Sequence, residues 1–99
     1  MSILWSAQAE ADLDAIHAFI ARDSEHYAGL QIKRIVERVI HIASRPMSGH
    51  PVHEDPAAGL REVHSGSYRI IYRQDRDQFV VVTVVHMKQR MPRKRLGGA

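Results

Sequence analysis

The chain has 99 residues, 44% of them hydrophobic and 25% charged, with a formal charge of +3 and no cysteine. That length makes one domain able to bury a core without staples, and the lack of cysteine excludes disulfides and thiolate metal sites and fits a reducing compartment. The longest apolar run, Phe79–Val85, is far shorter than the ~20 residues that span a bilayer, and "MSILWSAQAE" has no basic n-region, so we expect no membrane span, no secretory leader and a cytoplasmic location.

The chain order reads as follows. "SILW" (Ser2–Trp5) is a short β-type stretch. Ser6 can cap a helix over Ala7–Arg22, with Glu10 and Asp12 near its positive end and Ala9, Leu13, Ile16 and Ile20 on one face. Asp23 or Ser24 can cap a second helix whose buried stripe is Ala28, Ile32, Ile35, Val36, Val39 and Ala43; it should stop near Ser44, ahead of Pro46. A link this short predicts an antiparallel helix hairpin. "RPMSGHPVHEDPAAG" (Arg45–Gly59) reads as a loop. Three β-type segments follow, Leu60–His64, Tyr68–Gln74 and Phe79–Met87, joined by hairpin-length links. Phe79–Val85 lacks polar alternation and should be a central strand covered on both faces.

The expected fold class is therefore α+β: β-α-α-β-β-β, a helix hairpin packed on a small antiparallel sheet. Residues 1–90 should form the single domain and residues 91–99 a basic tail. Charge is polarised along the chain. Residues 1–30 carry five acids and one base, residues 31–99 thirteen bases and six acids, and no acid follows Asp77. A chain so arranged suits an acidic partner or a polyanion at its basic end, or simply a solvated surface.

One pair of residues could carry chemistry. Arg69 and His86 suit ribonuclease work, the imidazole moving a proton and the guanidinium holding a phosphate. Register decides whether they share a face. Strand pairs summing to 153 set Arg69 opposite Val84, on the face of His86; a slip of one residue sends the two to opposite faces. The alternative is that Arg69 and Arg73 line a solvated face and His86 ends a strand. His50 and His53 have H-x-x-H spacing, but they sit in a proline-bearing loop with no third histidine near, so no metal is expected. His17, His26, His41 and His64 read as surface residues. No nucleophile elbow or phosphate-binding glycine loop is present, and no cofactor is expected. The tail (Lys88, Arg90, Arg93, Lys94, Arg95) could meet phosphates or an acidic protein surface, but it has no interleaved aromatic to stack bases.

Five motifs in order carry a family resemblance: "W-S-x-x-A-x-x-D-L-x-x-I" (Trp5–Ile16), "RP-x-x-G" (Arg45–Gly49), "LRE" (Leu60–Glu62), "YRIIYR" (Tyr68–Arg73) and "VVHMKQR" (Val84–Arg90). Over residues 3–91 the chain resembles the ParE toxins of the RelE/ParE superfamily of bacterial toxin–antitoxin systems. The resemblance implies the same helix hairpin on a sheet. It also implies a ParD-like antitoxin that wraps a segment across the toxin, and DNA gyrase as the target. Direct sequence-specific nucleic-acid binding is not expected. RelE- and YoeB-like members instead cut mRNA on the ribosome. The YoeB-like pattern matches Arg69 and His86, but it has a tyrosine where this chain has Met87, and it needs a glutamate base for which Glu54 is the nearby candidate. Methionine can neither donate a proton nor bond a phosphate well. No tyrosine follows Tyr72, as the RelE-like pattern requires.

The resemblance therefore favours a gyrase poison, with an mRNA endonuclease using Arg69 and His86 as the alternative and a non-toxic antitoxin-binding remnant as a third. Phe19 and Tyr27, with Arg69 and Arg73, are expected at the antitoxin surface, unless the two aromatics merely close the hairpin. Lys88, Arg90 and Arg93 are expected to meet the target.

Overall fold

The computed structural model describes residues 2–96. Strand β1 (Ser2–Trp5) leads directly into helix α1 (Ala7–Ala21). The Ser6 hydroxyl makes that junction: it accepts from the Ala9 amide at 3.0 Å and donates to the Val82 carbonyl at 2.6 Å. Ser24 caps helix α2 (Glu25–Ala43) in the same way, accepting from the Tyr27 amide at 3.2 Å. Both serines satisfy an amide that lacks a partner in the first helical turn.

The Pro/Gly-rich segment that reads as a loop also holds a two-residue strand, β2 (His50–Pro51), between two single 3₁₀ turns. Its shortness has a cause: Pro51 has no amide proton to give a ladder, so such a strand is confined to a sheet edge. Strands β3 (Arg61–Ser65), β4 (Tyr68–Asp75) and β5 (Gln78–His86) complete a sheet of order β1-β5-β4-β3-β2. The α+β order stands. However, β1 runs parallel to β5, Ser2 beside Gln78, so the sheet is mixed rather than antiparallel throughout. The helix hairpin and the rest of the sheet lie between those two strands in sequence, which leaves ample chain for a parallel return.

Both sheet faces are buried. Ala9, Ile35, Val39 and Ile42 of the helices pack on Val63, Ile70, Tyr72, Phe79, Val81 and Val84, and the Tyr72 ring stacks on Phe79 at 4.6 Å. The opposite face carries Val52, Leu60, Ile71, Val82 and Val85, and Met91 and Leu96 fold back to cover it. This accounts for the lack of polar alternation in β5, whose two faces supply two cores. Each such side chain contributes roughly 1.5–3 kcal/mol by leaving water. Residues 97–99 of the expected tail lie outside the described residues.

Register along the β4–β5 hairpin changes part-way. From the tip, Asp75 pairs with Gln78 and Tyr72 with Val81; past that point Ile71 pairs with Thr83 and Arg69 with Val85. Val82 has no counterpart on β4, so β5 carries a bulge. Helix α1 pins it. The Ser6 amide and hydroxyl hold the carbonyls of Val81 and Val82, and the buried Asp12 carboxylate accepts from the Thr83 hydroxyl and, at 2.9 Å, from the Val84 amide. These partners satisfy the edge of β5 where β1 has ended. Asp12, read from sequence as a helix-dipole residue, is above all the cap of a strand edge.

Candidate functional site

The bulge decides where the two candidate catalytic side chains go. Because Arg69 faces Val85 and His86 faces Tyr68, the two lie on opposite faces of the sheet. The His86 ring meets Tyr68 edge-on at 5.3 Å, and its Nδ1 accepts from the Lys88 amide at 3.1 Å. That bond shapes the turn leaving β5.

Arg69 is 7% exposed and fully engaged. Its Nε donates to Glu62 at 2.5 Å, Nη1 to Glu54 at 2.7 Å, and Nη2 to Glu54 at 2.8 Å and Glu62 at 3.2 Å. Two carboxylates thus hold one guanidinium in a fork-to-fork arrangement. Hydrogen bonding by Arg69 outweighs desolvation and lowers the Glu54 pKa to about 2; the same bonds, chiefly from Glu54, push Arg69 further above its already high value. Such a glutamate is a poor base near neutral pH. Arg69, expected at the antitoxin surface and in the nuclease alternative, is buried between the two carboxylates, while Glu54 is partly exposed.

The other expected residues are placed as follows. Phe19 is 67% exposed and Tyr27 63%, one on each side of the α1–α2 turn, so neither closes the hairpin. The Arg22 guanidinium lies 6.0 Å from the Phe19 ring centre, and His26 meets Tyr27 edge-on at 5.6 Å. Arg73 is half-buried, and its Nε donates to Asp75 at 2.7 Å. Lys88 and Arg90 are exposed just beyond β5, and Arg93 reaches Asp55 at 3.4 Å. Phe19 and Tyr27 lie at the end of the sheet that carries Gly66 and His86: one turn on from Tyr27, the Gln31 side chain borders Gly66. Arg73 lies toward the other end. His53 Nδ1 approaches Glu54 at 3.3 Å, and no three metal-ligating side chains converge among the described residues. No helix among them is long and apolar enough to cross a membrane.

Sequence reasoning missed the Tyr72 clamp. The Tyr72 hydroxyl donates to the Pro46 carbonyl at 2.6 Å and accepts from the Gly49 amide at 3.1 Å, and burial raises its pKa. A β-carbon on Gly49 would stand 2.1 Å from that hydroxyl, so only glycine fits. Arg61 adds a bond from Nη1 to the Gly49 carbonyl at 2.7 Å. "RP-x-x-G", "LRE" and "YRIIYR" therefore meet at one place. Only their co-occurrence in sequence hinted at this.

A family model described as "ParE toxin of type II toxin-antitoxin system, parDE" matches residues 3–91. The chain belongs to the ParE toxin family. A solved structure titled "Chromosomal ParDE TA system from P. aeruginosa" shares the fold, with a TM-score of 0.74 and 22% identity over 87% of this chain and 95% of that one. A search of curated proteins gives no match. In this ParE-family chain the quoted motif residues make structural contacts: Ser6 and Asp12 hold the β5 bulge, Gly49 and Tyr72 hold the loop before β2, and Glu62 and Arg69 hold the far face.

Proposed function

We propose that this chain is the toxin of a type II toxin–antitoxin pair that acts by binding DNA gyrase, trapping its cleaved-DNA state and contributing no bond-making chemistry, and that a ParD-like antitoxin silences it. One observation carries the non-catalytic part: the only arginine–histidine pair that matches a nuclease pattern is split across the sheet, with the arginine consumed by two carboxylates. Membership of a toxin–antitoxin family supports an antitoxin partner. On this reading Lys88, Arg90 and Arg93, together beyond the last strand, meet the target. The exposed aromatics Phe19 and Tyr27, with Arg73, meet the antitoxin, whose segment folds as it binds. A cytoplasmic location goes with that target.

The test is a supercoiling assay with purified chain and gyrase, scored for inhibition and for linear, protein-linked DNA. Inhibition with trapped cleavage is expected. Untouched gyrase in the presence of folded chain would overturn the target assignment and return attention to ribosome-dependent RNA cleavage.

A further inference from the structure

Helix α2 carries a second stripe besides its buried one. Arg34, Arg38, His41 and Arg45 recur at spacings of four, three and four, so they line one side of the helix and its C-terminal exit. Arg34, His41 and Arg45 are exposed and Arg38 is half-buried. At 1.5 Å per residue the ridge runs for about 16 Å. Strand β3 adds to it. Arg61 pairs with Tyr72, whose ring belongs to the core under the helices, so its side chain lies on the face that α2 covers. Arg38 ties the two elements, its Nε donating to the His64 carbonyl of β3 at 3.2 Å.

The positive charge is unshielded. No acid stands on the ridge, and Glu37, beside it on the helix, forms no ion pair among the described residues. Glu62, next to Arg61, projects to the opposite face, where Arg69 holds it. Asp23 and Glu25 lie more than two turns before Arg34. The side chains also keep donors to spare. Arg38 uses Nη1 on His41 Nδ1 at 3.0 Å; a guanidinium only donates, so His41 Nδ1 accepts and its Nε2–H is left as a further donor. Arg61 uses Nη1 on the Gly49 carbonyl. Among the described residues the side chains of Arg34 and Arg45 make no hydrogen bond or ion pair, and Arg38 supplies the bonds within the ridge.

We infer that this ridge holds the phosphate backbone of a DNA duplex without reading its bases. A duplex presents a phosphate about every 3.4 Å along each strand, so the ridge faces about five of them, enough for each of four guanidinium groups to meet one. Planar, permanently charged forks suit phosphate oxygens. A single strand fits less well: Tyr27 is the only aromatic on the line of the ridge, and bases need a succession of stacking faces. An acidic protein also fits less well, because the ridge offers no apolar surface to offset the ordering of a partner segment. Of the exposed apolar residues nearby, Ile40 lies round the helix and Met47 past the end of the ridge. Choosing DNA over RNA rests on the gyrase reading, in which the chain works where a DNA duplex lies; the phosphate chemistry of the ridge does not.

The measurement is the fluorescence anisotropy of a labelled DNA duplex of roughly 20 base pairs, titrated with the whole chain across about 50–200 mM salt and without gyrase. Four contacts give an expected slope of log K against log salt of about −3.6. Arg34→Gln/Arg45→Gln should melt as wild type does, bind at least about tenfold more weakly at low salt, and show a slope shallower by about 1.8. No binding at low salt, an unchanged slope in that variant, or an equal loss in Lys88→Gln/Arg90→Gln would each overturn the inference. So would tighter binding of an RNA duplex of the same length, or competition by polyglutamate as strong as that by unlabelled DNA at equal charge. Gyrase is absent from the assay, so a failure here and a negative supercoiling result are distinguishable.

Discussion

Arg69 and His86 sit on opposite faces of one sheet, separated by a bulge at Val82. Had the hairpin kept the register set at its tip, the two would share a face. The pair that looks most like chemistry in the sequence is thus divided by a single unpaired residue, and Ser6 and Asp12 of another element hold that residue in place.

His86→Ala is therefore expected to leave growth arrest on expression intact, with at most a modest loss of stability from the missing Tyr68 and Lys88 contacts. The check is a growth curve beside a melting curve. Loss of arrest in a chain that melts normally would restore the histidine as a catalyst.

Glu54→Gln leaves the buried Arg69 with one carboxylate instead of two. Breaking a buried ion pair from one side costs about 3–5 kcal/mol when it is fully enclosed and less at a rim, so a urea midpoint well below wild type is expected at neutral pH. The pH dependence has a definite sign. Glu54 titrates near 4.5 when unfolded and at about 2 when folded. Its stabilisation is therefore complete above about pH 4.5 and drains away as pH falls toward 2. Urea melts at descending pH should show this loss in wild type and a flatter slope in Glu54→Gln.

Gly49→Ala forces a β-carbon against the Tyr72 hydroxyl and the Glu62 carbonyl. A loss of about 2–4 kcal/mol is expected. Tyr72→Phe, which removes the clamp but keeps the ring on Phe79, should cost about 1–2 kcal/mol. Combined, the two should cost less than their sum, because the first clash is with the oxygen that the second removes. Strict additivity would mean that the backbone contact with Glu62 dominates.

Asp12→Ala strips the Thr83 hydroxyl and the Val84 amide of their acceptor at a buried strand edge. A cost of about 2–4 kcal/mol is expected, since each orphaned donor keeps its desolvation penalty. Hydrogen exchange at Val84 should rise more than at Ile70, which lies within the sheet. Uniform acceleration would mean global unfolding without a local role for the bulge.

Lys88→Gln/Arg90→Gln is expected to weaken gyrase inhibition with little change in melting temperature, because both side chains are exposed. Truncation before Met91 is a poorer test of the tail, since it also removes Met91 and Leu96 from the second core. Unchanged inhibition by the double variant would move the target surface elsewhere.

Much of this protein was legible in its chain. Periodicity indicated both helices, Ser6 marked the first start and Asp23 or Ser24 the second, and the run Phe79–Val85, without polar alternation, announced a strand buried on two faces. Those signals are local: a hydroxyl three residues from an amide, a stripe every third or fourth residue, a run with no polar alternation. Motif order added the family. The tertiary structure alone decided that β1 lies parallel to β5, that Val82 shifts the register, that Arg69 is locked between Glu54 and Glu62, and that Arg38 of α2 reaches the His64 carbonyl of β3. Each of these depends on residues far apart in sequence meeting in space. Strand partners and ion pairs are set by which packing buries both faces best, and no local pattern encodes that choice.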